Sequence, residues 1–123
     1  MSVYESIGGQ ATFDRLVERF YEGVMHDPVL RPMYPEHLEE SRRHLSLFLA
    51  QFFGGPGTYS EERGHPRLRM RHLPFAIGLA ERDAWVKHMT AALQATVADP
   101  ATRQTMQDYF ENAATFLINR PTA

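Results

Sequence analysis

The chain has 123 residues, 43% hydrophobic and 11% aromatic, and a formal charge of −2 from 13 basic and 15 acidic residues. That length suits one domain with a sizeable core, and the acidic balance argues against a nucleic-acid partner, whose binder is expected to be strongly basic. Cysteine is absent, which excludes disulfides, thiolate zinc sites, iron–sulfur ligation and cysteine nucleophiles together. The opening MSVYESIGG lacks the basic-then-apolar pattern of a secretory leader. The longest strongly apolar run, LSLFLAQFF at 45–53, falls well short of the roughly 20 residues that span a membrane. A soluble, cytoplasmic protein with no membrane partner is expected.

Helical periodicity appears in four stretches. In the first, Phe13, Leu16, Val17, Phe20, Tyr21 and Val24 step at threes and fours and make one apolar stripe. Gly8-Gly9 mark a turn before it, and Gln10 or Thr12 its start. Asp27-Pro28 restarts the chain as a short helical turn, since proline suits a first helical position, and Met33-Tyr34-Pro35 ends it. The second long helix is predicted from about Leu38 to Phe53, with Ser41, Leu45, Phe48, Leu49 and Phe52 on one face. Gly54-Gly55-Pro56-Gly57 stops it. The third runs from about Glu81 to Ala98, with Trp85, Met89, Ala92, Leu93, Thr96 and Val97 aligned. Acidic Glu81 and Asp83 stand in its first turn, where the dipole favours them. Pro100 opens the last helix, which carries Met106, Tyr109, Phe110, Ala113, Ala114 and Leu117 and ends near Asn119-Arg120-Pro121. Period-two alternation is absent, so the fold class is all-α.

Between the second and third long helices lies GGPGTYSEERGHPRLRMRHLPFAIGL, with three prolines, five glycines and room for a short helix near 66–72. Loops this long in compact domains generally serve a purpose. Four helices with such an excursion describe a bundle held open around something else.

No GxSxG, P-loop, GxGxxG or HExxH pattern occurs, and carboxylate neighbours such as Glu39-Glu40 point apart on a helix. Of the six histidines, His37/His44 and His65/His72 are two turns apart, too far for the adjacent-turn pair of many zinc sites. His72 has a distinct setting. It shares a face with Leu68 and is followed by apolar Leu73, Pro74, Phe75 and Ile77. An imidazole on an apolar wall can be the single axial ligand of a haem iron, although this feature alone favours a histidine at a helix C-terminus meeting the dipole. Arg63, Arg67, Arg69 and Arg71 form the only dense basic cluster, readable as a solvated turn, a phosphate grip or anchors for haem propionates. Tyr21, Tyr34 and Trp85 lie on or beside apolar stripes, where a buried O–H or N–H needs a partner.

The stretches YESIGG (4–9), FDRLVERFYEGV (13–24), DPVLRPMYPE (27–36), FGGPGTYSEERGHPRLRMRHLPF (53–75) and ERDAWVKHM (81–89) make the chain resemble the truncated haemoglobins. The likeness is greatest to their second group, the oxygen-avid bacterial type. That resemblance implies a two-over-two helical sandwich, a shortened globin, around haem b. It implies that His72 is the proximal iron ligand and that Tyr21, Tyr34 and Trp85 are distal residues, with Ser41 in the place of a small distal side chain. Leu45, Phe48, Leu68, Phe75, Ile77 and Met89 would line the haem. His44 falls where relatives often carry a propionate-binding arginine, and Arg67 and Arg69 could take over that grip.

The resemblance implies an open sixth iron position for O₂, CO or NO. Several donors around it imply slow O₂ release, which favours NO oxidation or peroxide turnover, fed by an unidentified reductase, over bulk oxygen transport. The chain would act as a monomer or homodimer. The alternative from a second class is a gas sensor or redox-partner module without turnover. A third, a haem-free helical nucleic-acid binder, would require a colourless protein.

Overall fold

The computed structural model describes residues 2–120, and among them there are helices and turns but no strands. The Ser2 hydroxyl accepts the Glu5 N–H at 3.2 Å while the Glu5 carboxylate accepts the Ser2 N–H at 3.3 Å. This reciprocal cap starts α1 (Val3–Ser6), a short helix that the apolar periodicity did not predict. Gly8 and Gly9 follow with φ of 106° and 72°, the left-handed region that glycine enters without steric penalty. They turn the chain into α2 (Gln10–Met25), which buries the predicted stripe together with Thr12.

After α2 the Asp27 carboxylate accepts the Val29 N–H at 2.8 Å, and Arg31 N–H donates to the Asp27 carbonyl at 2.8 Å. The helical restart comes as a 3-10 turn at Arg31–Met33, with Pro32 rather than Pro28 in its first turn. α3 (Glu39–Phe52) agrees with expectation to within a residue at each end. It faces α2 through Ser46, Leu49 and Ala50, which are buried, while Leu45 and Phe48 pack partly buried at the edge of the core. Ser46 is tolerated there because Gln10 Nε2 donates to its hydroxyl at 2.8 Å and the hydroxyl donates to Asp14. Phe52, predicted on the apolar face, is instead 51% exposed and stacks on Tyr109 at 4.0 Å.

The excursion contains two helices, not one. α4 (Thr58–Arg63) was not predicted, and it buries only Tyr59. α5 (Leu68–His72) falls inside the expected 66–72. α6 (Leu79–Thr96) begins two residues before Glu81, because the Glu81 carboxylate caps the Gly78 N–H at 2.7 Å. Asp83 is thereby carried out of the first turn, and it pairs with Arg82 at 3.2 Å. Asp99 caps α7 (Pro100–Phe116), accepting the Thr102 N–H at 2.9 Å. Pro121, expected beside the end of this helix, lies outside the described residues.

α2 packs on both α3 and α6, α6 packs on α7, and α4 folds back on α3. Phe13, Leu16, Phe20, Leu49, Met89, Leu93, Met106 and Phe110 are buried where these helices cross. At about 1.5–3 kcal/mol for each such side chain, this layer is the main favourable term in the fold. α5 and the segment after it stand at the border of this core, with Leu73 and Phe75 exposed.

Candidate functional site

Two groups of predicted residues are assembled on different elements. The first joins α2, α3, α6 and the chain just beyond the 3-10 turn. Tyr21 is buried, and its ring meets Tyr34 edge-on at 5.5 Å. Phe20 lies against both Tyr21, at 5.1 Å, and Trp85, at 5.3 Å. Burial raises the Tyr21 phenol well above its ordinary 10.0, and neighbouring Tyr34 adds to the rise. The Ser41 hydroxyl and the Arg42 cation pull it the other way without reversing it. Burial likewise pushes Tyr34 up to about 12, opposed by the Trp85 indole beside it. Both phenols therefore keep their protons across the whole neutral range, and with the indole N–H they bring three donors into one apolar setting.

Sequence reasoning missed the residues that hold this group in place. Arg31 donates to the carbonyls of Tyr34, Pro35 and Glu36 at 3.2, 3.0 and 2.9 Å, fixing the extended chain on which Tyr34 sits. His88, three residues beyond Trp85 on α6, meets the Asp27 carboxylate at 2.6 Å. That bond holds the Asp27 carboxyl below its ordinary 3.8 and ties α6 to the turn leading to Tyr34. An arginine three residues before a tyrosine was a legible local signal. The Asp27–His88 pair, distant in sequence, had none.

The second group surrounds His72. Its Nδ1 lies 2.6 Å from the Leu68 carbonyl oxygen. A carbonyl can only accept, so Nδ1 carries a proton and, in the neutral ring, the lone pair stands on Nε2. This is the tautomer a metal-ligating histidine needs, already oriented by a backbone partner. The Phe75 ring stands 6.5 Å from the imidazole; Ile77 is buried, Leu68 is partly buried, and Phe75 is 41% exposed. Leu45 and Phe48 present half-buried apolar surface from α3, whereas Met89 is fully enclosed in the core.

The arginine cluster divides by partner. Arg71 donates to the carbonyls of Pro66 and Arg63 at 2.8 and 2.9 Å, so it serves the backbone of this segment. Arg69 lies over the Phe116 ring at 4.2 Å and reaches the Phe116 carbonyl at 3.4 Å. Arg63 stands 3.0 Å from His44, whose imidazole burial and that cation together hold below its usual value. Arg67 is exposed and makes no ion pair among the described residues. It is also the one non-glycine residue there with a positive φ, 45°, a costly conformation that the tight entry to α5 imposes.

Among the described residues no three His, Cys, Asp or Glu side chains gather to hold a metal ion. The chemistry that fits is a metal bringing its own equatorial ligands. Haem needs one neutral imidazole and apolar walls; His72 offers the imidazole, and apolar Leu68, Phe75 and Ile77 flank it in the chain. No described helix is long and apolar enough to cross a membrane.

Comparison with known proteins agrees with this chemistry. Residues 2–119 match the model of a family described as bacterial-like globin. The chain is 39% identical over 120 residues to a group 2 truncated haemoglobin of Bacillus subtilis, covering 98% of this chain and 90% of that one. It superposes with a TM-score of 0.95 on the crystal structure of a haemoglobin from the thermophilic phototroph Chloroflexus aurantiacus, at 54% identity and covering 98% and 99% of the two chains. For a thermostable haemoglobin of the actinobacterium Thermobifida fusca the values are 0.96 and 52%, covering 99% and 100%. The chain belongs to the bacterial-like globins, within their group 2 truncated haemoglobin branch.

Proposed function

We propose that this globin binds O₂ tightly at haem b, with His72 Nε2 as the axial ligand and Tyr21, Tyr34 and Trp85 as donors to the bound gas. The observation that carries the reading is the meeting of three protonated donors in one apolar cluster. When bound, haem would supply a ferrous iron able to take O₂, CO or NO.

The protein's part is to orient and to donate. The Leu68 carbonyl fixes the His72 ring and its tautomer. Leu45, Phe48, Leu68, Phe75 and Ile77 would supply the apolar surface that keeps water from the bound haem. Of the four clustered arginines, Arg67 is the one without a side-chain partner among the described residues and would be available to a propionate, with the Arg63–His44 pair as a second polar contact. Ser41, beside Tyr21, keeps that phenol from turning away and leaves room for a diatomic ligand. A ligand held this firmly suits NO oxidation or peroxide turnover, with electrons from a separate reductase, better than bulk oxygen delivery.

Hydrogen bonds to a charged acceptor contribute roughly 1.5–3 kcal/mol each, and about 1.4 kcal/mol is tenfold in an equilibrium. Removing the indole N–H by Trp85→Phe should therefore speed O₂ dissociation, followed by stopped flow, about 10- to 100-fold. Fast release from the wild type, unchanged in the variant, would refute the donor reading.

A further inference from the structure

His72 is the last residue of α5, a helix of five residues. A helix this short has little stability of its own. The chain from Leu73 to Gly78 that follows is not helical, and Leu73 and Phe75 on it are 58% and 41% exposed. Packing alone therefore gives the axial histidine a weak foundation. Its backbone is held by a residue beyond the end of α7. The Asn119 side chain accepts the Ile77 N–H through Oδ1 at 2.9 Å. Through Nδ2 it donates to the carbonyls of Phe75 at 2.8 Å and His72 at 3.2 Å. The backbone N–H groups of Asn119 and Arg120 both donate to the Ile77 carbonyl, at 2.8 and 3.1 Å.

We infer that Asn119 is the positioning residue of His72, its carboxamide fixing the chain on the C-terminal side of the axial ligand and so setting where Nε2 stands. This rests on the reading of His72 as that ligand. The two restraints on His72 act on different freedoms. The Leu68 carbonyl governs rotation of the ring, while Asn119, bonded to the His72 carbonyl, governs the position of the backbone that carries it. The chemistry is specific to an amide. One end must accept from an N–H and the other must donate to two carbonyls, which neither a carboxylate nor a hydroxyl can do together.

Asn119→Asp separates positioning from bulk. It preserves size and the acceptor for Ile77 N–H but aims a second acceptor at the carbonyls of Phe75 and His72. Asn119→Ala removes all three side-chain bonds. The readouts, on haem-loaded protein, are the iron–histidine stretching band in resonance Raman spectra of the ferrous unliganded form and the rate of haem transfer to excess apomyoglobin. Both variants should shift and broaden the band and accelerate haem loss about tenfold, with Asp no better than Ala. A wild-type band and wild-type haem retention in both, even with a lowered melting temperature, would assign Asn119 to the fold alone. His72→Gly separates this failure from failure of the axial reading. A band that survives His72→Gly overturns both. A band lost in His72→Gly but unmoved in the Asn119 variants overturns the positioning role only.

Discussion

Gly23 sits inside α2, where alanine would ordinarily gain about 1 kcal/mol over glycine through helix propensity. Here a Cβ would stand 2.2 Å from His88 Nδ1, 2.8 Å from Cγ and 3.0 Å from Cε1. Ordinary contact begins near 3.4 Å, so the ring would have to retreat by more than an ångström (3.4 minus 2.2). It has little freedom to do so, because Nε2 is held 2.6 Å from the Asp27 carboxylate. Overpacking of this kind costs about 1–3 kcal/mol, and a strained or broken Asp27–His88 bond adds to that. Against the propensity gain, Gly23→Ala should destabilise the haem-loaded protein by roughly 1–2 kcal/mol and lower its melting temperature by roughly 4–8 °C. The assay is thermal unfolding followed by far-ultraviolet circular dichroism, in the wild type and in a His88→Ala background. With the ring gone, the same substitution should become neutral or stabilising. A Gly23→Ala protein more stable than wild type in the presence of His88 would refute the reasoning.

The raised phenols predict an alkaline signature. Tyr34 and Tyr109, the latter also pushed up to about 12 by burial, should add their phenolate absorbance near 295 nm only around pH 12, with Tyr21 later still. Because the folded state holds these protons above the ordinary 10.0, stability is complete below pH 10 and falls as pH rises beyond it. Titration complete by pH 10.5 in native protein would contradict this. Asp27 gives the opposite limb. Its depressed carboxyl contributes stability above its ordinary 3.8 that is lost as pH falls through the lower folded value. Asp27→Asn should therefore flatten the acid side of the stability profile, and an unchanged acid limb would count against the link to His88.

Helices α2, α6 and α7 could be read from the sequence because each buries apolar residues at helical spacing, whereas of the face predicted for α3 only Leu49 is fully buried. The stripe of α2, from Phe13 to Val24, is buried as predicted. α4 could not be read this way, since TYSEER buries a single residue and carries no period. The earlier start of α6 and the presence of α1 were legible in principle. Ser2-x-x-Glu5 is a reciprocal cap in the sequence itself, and Glu81 stands three residues after Gly78.

The site divides in the same way. Tyr21, Tyr34 and Trp85 could be singled out as polar tips on apolar stripes, and they are close together in the fold. His72 could be singled out by its apolar neighbours. Its tautomer could not, because that depends on which carbonyl the ring meets. Arg67 and Arg69 looked alike in the run RLRMRH, yet Arg69 lies on Phe116 and Arg67 has no such partner. Asn119 and His88 act across 47 and 61 positions of sequence, where no local pattern reports them.

The most direct test of the account is an absorption spectrum of haem-loaded protein, wild type beside His72→Gly, with and without added imidazole. The wild type should show an intense Soret band and, when reduced, the spectrum of a five-coordinate histidine-ligated haem. His72→Gly should lose that spectrum and regain it when imidazole fills the vacated space. A His72→Gly protein that keeps the wild-type spectrum unaided would contradict the assignment of His72 as the axial ligand.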